Sequence, residues 1–157
     1  MVFFSTPPHH GTLRRYHAHP EAWLHHIPDH ISFEEGSLLE PLSVALAGID
    51  RSGLRLADPL VICGAGPIGL VTLLAANAAG AEPIVITDID QNRLAKAKEL
   101  VPRVRPVLVQ KQESAQELGQ RIIDELGQEA KLVLECTGVE SSVHAGIYVS
   151  DTEPYLN

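Results

Sequence analysis

From Pro59 onward the chain alternates short apolar runs with longer helical stretches, and that rhythm is the strongest constraint on its fold. The segments "LVIC" (60–63), "PIVITD" (83–88), "PVLV" (106–109) and "KLVLECTG" (131–138) read as strands. After them come "PIGLVTLLAANAAG" (67–80), "QNRLAKAKEL" (91–100), "SAQELGQRIIDELG" (114–127) and "SSVHAGIYV" (141–149), which read as helices. The first of these helices is apolar almost all round and ends at Gly80 as a C-cap. The third carries Leu118, Ile122 and Leu126 on one side. Strands that are apolar throughout, each followed by a helix, form a parallel sheet covered on both faces. The fold class is therefore α/β, a doubly wound parallel sheet.

The stretch "VICGAGPIGL", Val61 to Leu70, places three glycines in G-x-G-x-x-G spacing at the end of the first strand and the start of the first helix. That spacing alone is weak, because glycine is common at any tight turn. Its context is the one a dinucleotide-binding βαβ unit requires. Gly64 permits the turn, Gly66 lets the backbone approach a pyrophosphate with no Cβ in the way, and Gly69 lets the helix pack closely on the strand. The pyrophosphate would meet the N–H groups at the positive end of the helix dipole. Nineteen residues beyond Gly69, Asp88 closes the second strand. A carboxylate there accepts hydrogen bonds from ribose hydroxyls and repels a 2′-phosphate, which favours NAD over NADP. Apolar Ile89 points the same way. The alternative is an α/β domain with a glycine turn and no cofactor.

Composition narrows the partners. The 157 residues make about one domain, 45% are hydrophobic, and the net charge is −8 with no long Lys/Arg block. Such a charge argues against nucleic acid and anionic membranes. No run of about 20 apolar residues reads as a membrane span, and "MVFFSTPPHHG" lacks the basic start of a secretory signal. The two cysteines, Cys63 and Cys136, fit a reducing compartment, so a cytoplasmic location is expected. The first thirty residues stand apart, holding four of eleven prolines and seven of eight histidines. They read as short strands and loops that need another body to lie against. His9 with His10, or His17 with His19, could chelate a cation, but surface histidines are the better reading without cysteines or carboxylates at ligand spacing. Ser32 and Glu35 then fit a capping box. Pro41 suits the first position of a second helix.

The run from Phe33 to Leu100, "FEEGSLLEPLSVALAGIDRSG…AKAKEL", resembles the zinc-dependent polyol dehydrogenases of the medium-chain dehydrogenase/reductase superfamily. The upstream "FFSTPPHHGTLRRYHAHPEAWLHHIPDHIS" is most similar to the L-arabinitol 4-dehydrogenase branch, and "LVLECTGVESSVHAGIY" continues the match. The resemblance implies oxidation of a secondary alcohol of a small polyol, a pentitol such as L-arabinitol or else sorbitol or xylitol, with hydride passing to NAD. It implies zinc as Lewis acid, and a homo-oligomer, usually a tetramer. It also implies a partial Rossmann domain over residues 51–149, preceded by a remnant of a GroES-like catalytic domain over 1–50 and followed by a divergent tail, 150–157.

Residue by residue, the resemblance carries Gly64, Gly66, Pro67, Ile68 and Gly69 over as the phosphate-loop contacts, and Asp88 and Arg93 as neighbours of the adenosine. Read without it, Pro67 is an ordinary first residue of a helix and Arg93 a solvated arginine. Thr137 and Gly138 would border the cleft. Glu40, in "EPLS", corresponds to an acid bound to the metal or to its water and substrate, which makes it both the catalytic and the metal candidate. Its other reading is a helix-start carboxylate favoured by the dipole. The family's remaining zinc ligands, a Cys and a His-Glu pair, belong upstream of Phe3, and further strands belong after Val149. The chain therefore reads as a fragment. An alternative to turnover is a nucleotide-binding or subunit-interaction module.

Overall fold

The structure, a computed structural model, describes residues 4–150. It divides into two compact units whose boundary falls between Gly36 and Ser37. In the first unit the regular elements are a single 3-10 turn, Glu21–Trp23, and the start of helix α1, Phe33–Ser37. The capping box forms: Glu35 N–H donates to Ser32 Oγ at 3.1 Å, and Ser32 N–H to the Glu35 carboxylate at 2.8 Å. Among the described residues, none of the strands expected in the first thirty forms. A lone extended segment has no neighbour for its backbone N–H and C=O groups. None of the described residues of this unit is buried. His17 and His19 pack at 4.9 Å ring separation against Phe4, half-buried rather than fully solvated.

The second unit begins with α2, Leu39–Ser52, which packs on α3, Pro67–Ala78. Pro41 is the third residue of α2, not the first. The N–H groups of a helix's first turn have no intrahelical partner, so proline loses no bond at the third position either. Strands β1 (Leu60–Cys63), β2 (Ile84–Asp88), β3 (Arg105–Leu108) and β4 (Leu132–Glu135) pair in parallel in the order β3-β2-β1-β4. Helices α4 (Gln91–Leu100), α5 (Ala115–Leu126) and α6 (Glu140–Val149) complete the unit. This order, 3-2-1-4, is that of the first four strands of a Rossmann sheet, in keeping with the strand–helix alternation.

Side chains of successive strand residues face opposite ways, and the two faces meet different helices. Leu60, Ile62, Ile84 and Ile86 pack with Leu73 and Ala76 of α3 and Leu94 and Ala97 of α4. Val61, Cys63 and Val85 pack with Leu118, Ile122 and Leu126 of α5 and Ala145 and Val149 of α6. The apolar stripe read along α5 is thus the stripe it buries. Strand β3 starts one residue before the expected segment. Its Pro106 is tolerated because β3 is an edge strand among the described residues. At the end of α3, Gly80 at φ 86° closes the helix, with Ala81 N–H bonded to Ala76 O at 3.1 Å.

Between β3 and β4 the chain crosses over β2 and β1, so neighbouring strands β1 and β4 run out to a topological switch point. In an open parallel sheet the connections after these two strands lead to opposite faces and leave a crevice at their carboxyl ends.

Candidate functional site

That crevice is present as a cleft of about 310 Å³ lined by the turns that follow β1, β2 and β4. Gly64 and Gly66 form its floor, Asp88, Ile89 and Arg93 one side, and Thr137, Val139 and Ser142 the other. The bend after β1 is fixed from β2. Gly64 N–H donates to Thr87 O at 2.8 Å, and Ala65 N–H donates to Asp88 Oδ2 at 2.7 Å. Gly64 adopts φ 99°, a left-handed conformation that favours glycine. Gly66, by contrast, has an ordinary φ of −72°. A Cβ built on it would meet no protein atom within 4 Å. Protein packing does not require a glycine there, whereas a ligand lying against the backbone would.

Pro67 is the first residue of α3, with Ile68 and Gly69 next in its opening turn. The N–H groups of Ile68 and Gly69 belong to the set that a helix start leaves without intrahelical partners, and Pro67 has none to leave. Gly69 is buried, and a Cβ there would fall 1.8 Å from Gly64 O. It serves the close crossing of helix and bend, as expected from its place in the spacing.

Asp88 is a charged residue at only 7% exposure. Besides Ala65 N–H it accepts Asp90 N–H on Oδ1 at 2.9 Å, and Arg93 Nη1 stands 3.8 Å from Oδ2. Two backbone donors orient the carboxylate and leave it acceptor capacity toward the cleft. Asp90 in turn caps α4, accepting from Asn92 N–H at 2.7 Å.

On the opposite side stands a residue that sequence reasoning missed. Glu135, the last residue of β4, accepts from Thr137 N–H at 3.0 Å, Thr137 Oγ1 at 2.5 Å, Gly138 N–H at 2.8 Å and Ser142 Oγ at 3.0 Å. Burial raises its pKa, but these bonds outweigh burial and hold the carboxyl below the usual glutamate range. An available signal was its position: Glu135 closes β4 as Asp88 closes β2. Of the expected neighbours, Thr137 lines the cleft, while Gly138 at φ 70° makes the turn behind it.

The cleft therefore brings Gly64, Gly66, Asp88 and Arg93 together, and Pro67, Ile68 and Gly69 follow directly in the helix start. Glu40 is not among its lining residues. It sits exposed in the first turn of α2, where its backbone C=O accepts Ser43 Oγ at 2.7 Å.

A family model described as zinc-binding dehydrogenase matches residues 67–152, more than half of the chain. The chain belongs to the zinc-binding dehydrogenase family. Among members of this family it is similar to an L-arabinitol 4-dehydrogenase of Penicillium rubens, with 59% identity over 157 aligned residues covering 94% of this chain and 40% of the relative. The sorbitol dehydrogenase of Homo sapiens is 45% identical over 150 residues, covering 96% of this chain and 42% of the relative. Among solved structures, 2R,3R-butanediol dehydrogenase from Bacillus subtilis superposes with a TM-score of 0.65 at 33% identity, over 79% of this chain and 34% of that one. The chain thus spans about two fifths of the length of the dehydrogenases it matches in sequence.

The residues present fit the two groups implied by such a family unequally. A dinucleotide finds a glycine with open space above it, a helix start and an oriented carboxylate in one cleft. Zinc does not fit: among the described residues no three His, Cys, Asp or Glu side chains converge on a point where they could hold a metal. Burial pushes the Cys63 thiol up to about 11 and also raises that of Cys136. Neither thiol belongs to a converging ligand set among the described residues.

Proposed function

We propose that this chain binds NAD in the cleft at the ends of β1, β2 and β4, as the nucleotide-binding part of a polyol oxidoreductase. The observation that carries the reading is Asp88, a buried carboxylate bonded to the phosphate-loop backbone and sharing one cleft with Gly64 and Gly66. In this reading the Gly64–Gly69 bend holds the pyrophosphate, Asp88 accepts the adenosine ribose hydroxyls, and Arg93 and Ile89 flank the nucleoside. Bound NAD would supply the hydride acceptor for a secondary alcohol. A pentitol such as L-arabinitol is the proposed substrate, in keeping with the names of the similar dehydrogenases. No step is routed through zinc, because the ligand set does not fit it. Glu40 is proposed as the substrate- or metal-side acid of the wider family. The reading extends to a cytoplasmic homo-oligomer in which residues 1–50 belong to the catalytic part and 51–149 to the nucleotide-binding part. No helix among the described residues is long and apolar enough to cross a membrane.

A second reading, nucleotide binding without turnover, is favoured by the separation of roles in the site. The nucleotide groups share the cleft, and Glu40 does not line it. Calorimetric titration with NAD+ and NADP+, followed by an assay of pentitol oxidation through NADH absorbance, separates the two. Binding with turnover supports the first reading and binding without it the second; no binding of either nucleotide defeats both.

Two variants refine the test. Gly66→Ala is expected to leave the melting temperature unchanged, since its Cβ meets no protein atom. It should weaken NAD+ about tenfold or more by holding the pyrophosphate off the backbone. Asp88→Ser combined with Ile89→Arg removes the repulsion of a 2′-phosphate and adds a cation beside it. The ratio of NADP+ to NAD+ affinity should rise by about two orders of magnitude. An unchanged ratio would remove Asp88 from the ribose site.

A further inference from the structure

Glu135, exposed at the end of β4, accepts from four donors among the described residues: two backbone N–H groups and two hydroxyls. Thr137 Oγ1, while donating to Glu135, accepts Val139 N–H at 3.0 Å. One carboxylate thereby gathers the whole turn from Thr137 to Val139 and ties it to Ser142 in the first turn of α6. Three of the residues it organises, Thr137, Val139 and Ser142, line the cleft on the side away from Asp88. The two walls each end in a branched apolar side chain left open to solvent: Ile89 at 80% exposure and Val139 at 52%. Branched side chains on two sides of one narrow cleft suit a flat apolar ring, which covers both and releases the water over them.

We propose that Glu135 is a positioning residue for the nucleotide site, setting the wall against which the planar base joined to the Asp88-bound ribose lies. The proposal rests on the nucleotide reading above and adds a residue to it. Glu135 does not touch the nucleotide; it acts through Thr137 and Val139. A carboxylate is required because it accepts on both oxygens. Glutamine has the same shape, but its NH2 must face a donor whichever way the amide is turned, leaving Thr137 N–H or Gly138 N–H opposed. The turn then moves and the wall with it. The carboxyl is ionised well into the acid range, since its hydrogen bonds hold its pKa low, so the wall is in place at neutral pH.

The test compares AMP with ribose 5-phosphate, which lacks the base, by calorimetric or NMR titration of the whole chain. Glu135→Gln should weaken AMP about tenfold, the worth of one charge-assisted hydrogen bond, and leave ribose 5-phosphate unchanged. Ser142→Ala removes a single donor to the same carboxylate and should weaken AMP about threefold, carrying the test if Glu135→Gln does not fold. Equal losses for both ligands would mean that Glu135 acts only on the fold, and the positioning role would be overturned. So would unchanged AMP affinity in a chain whose wild type binds AMP, a result that leaves the nucleotide reading standing. If wild type binds neither AMP nor NAD+, both ideas fall together.

Discussion

Gly69→Ala is expected to destabilise the second unit by about 3 kcal/mol, seen as a lower denaturant midpoint with an unchanged slope. Helix propensity alone predicts the opposite sign, because alanine inside a helix is favoured over glycine by roughly 1 kcal/mol. The contact decides. A Cβ at Gly69 would lie 1.8 Å from Gly64 O and 2.8 Å from Gly64 C. Those are backbone atoms, so no side chain can swing aside. Nor can the bend retreat, since Gly64 N–H is bonded to Thr87 O and Ala65 N–H to Asp88. Relief requires α3 to lift off β1, which opens the contact of Leu73 and Ala76 with Leu60 and Ile62. Nucleotide affinity should fall as well, because the bend and the helix start move together. A Gly69→Ala chain that unfolds at the wild-type midpoint would show that α3 does not cross the bend this closely.

The two loop glycines illustrate what was legible in the sequence. The spacing in its strand–helix context assigned Gly69 to helix packing, and its close approach to Gly64 O agrees; at Gly66, assigned to ligand approach, the backbone has open space above it. Strand faces were equally legible: uninterrupted apolar runs such as Leu60–Cys63 imply burial on both sides, and both sides are covered. The stripe Leu118, Ile122, Leu126 gave the orientation of α5. What escaped the sequence depends on chain turns with no strong local signal. Helix α6 starts at Glu140 behind Val139, which offers no side-chain cap, so its first residue had nothing to mark it. The role of Glu135 needs Ser142, seven residues on, to come back beneath it, and only the turn at Gly138 makes that happen. Pro41 was misplaced by two residues because a proline anywhere in the first turn breaks no intrahelical bond, so its preference for the first position does not fix the helix start. In the first thirty residues the absence of periodicity could not tell loops from unpaired strands, and among the described residues there the chain forms no strand and buries no side chain.

Asp88→Ala is expected to weaken NAD+ and AMP about 100-fold, which corresponds to losing charge-assisted hydrogen bonds to the ribose hydroxyls. The same change also acts on the empty protein. Ala65 is buried, and its N–H would be left without the acceptor it has at 2.7 Å. An orphaned buried donor costs about 1–3 kcal/mol, so the melting temperature should fall together with the affinity. Asp88→Asn separates the two effects. Its amide oxygen can still accept Ala65 N–H, while its NH2 replaces the oxygen that accepts Asp90 N–H. Stability should then be recovered only in part, because that NH2 opposes Asp90 N–H, whereas ribose binding loses its charge and one acceptor, leaving affinity well below wild type. Arg93 enters with a definite sign: at 3.8 Å its cation is balanced by the Asp88 carboxylate. In Asp88→Asn the site therefore loses one negative charge beside Arg93, and discrimination against a 2′-phosphate should relax even though total affinity is lower. Calorimetry with NAD+ and NADP+ on both variants, set beside their thermal midpoints, reads all of these quantities. If Asp88→Asn binds NAD+ like wild type, the carboxylate's charge serves the loop alone and the ribose must be held elsewhere.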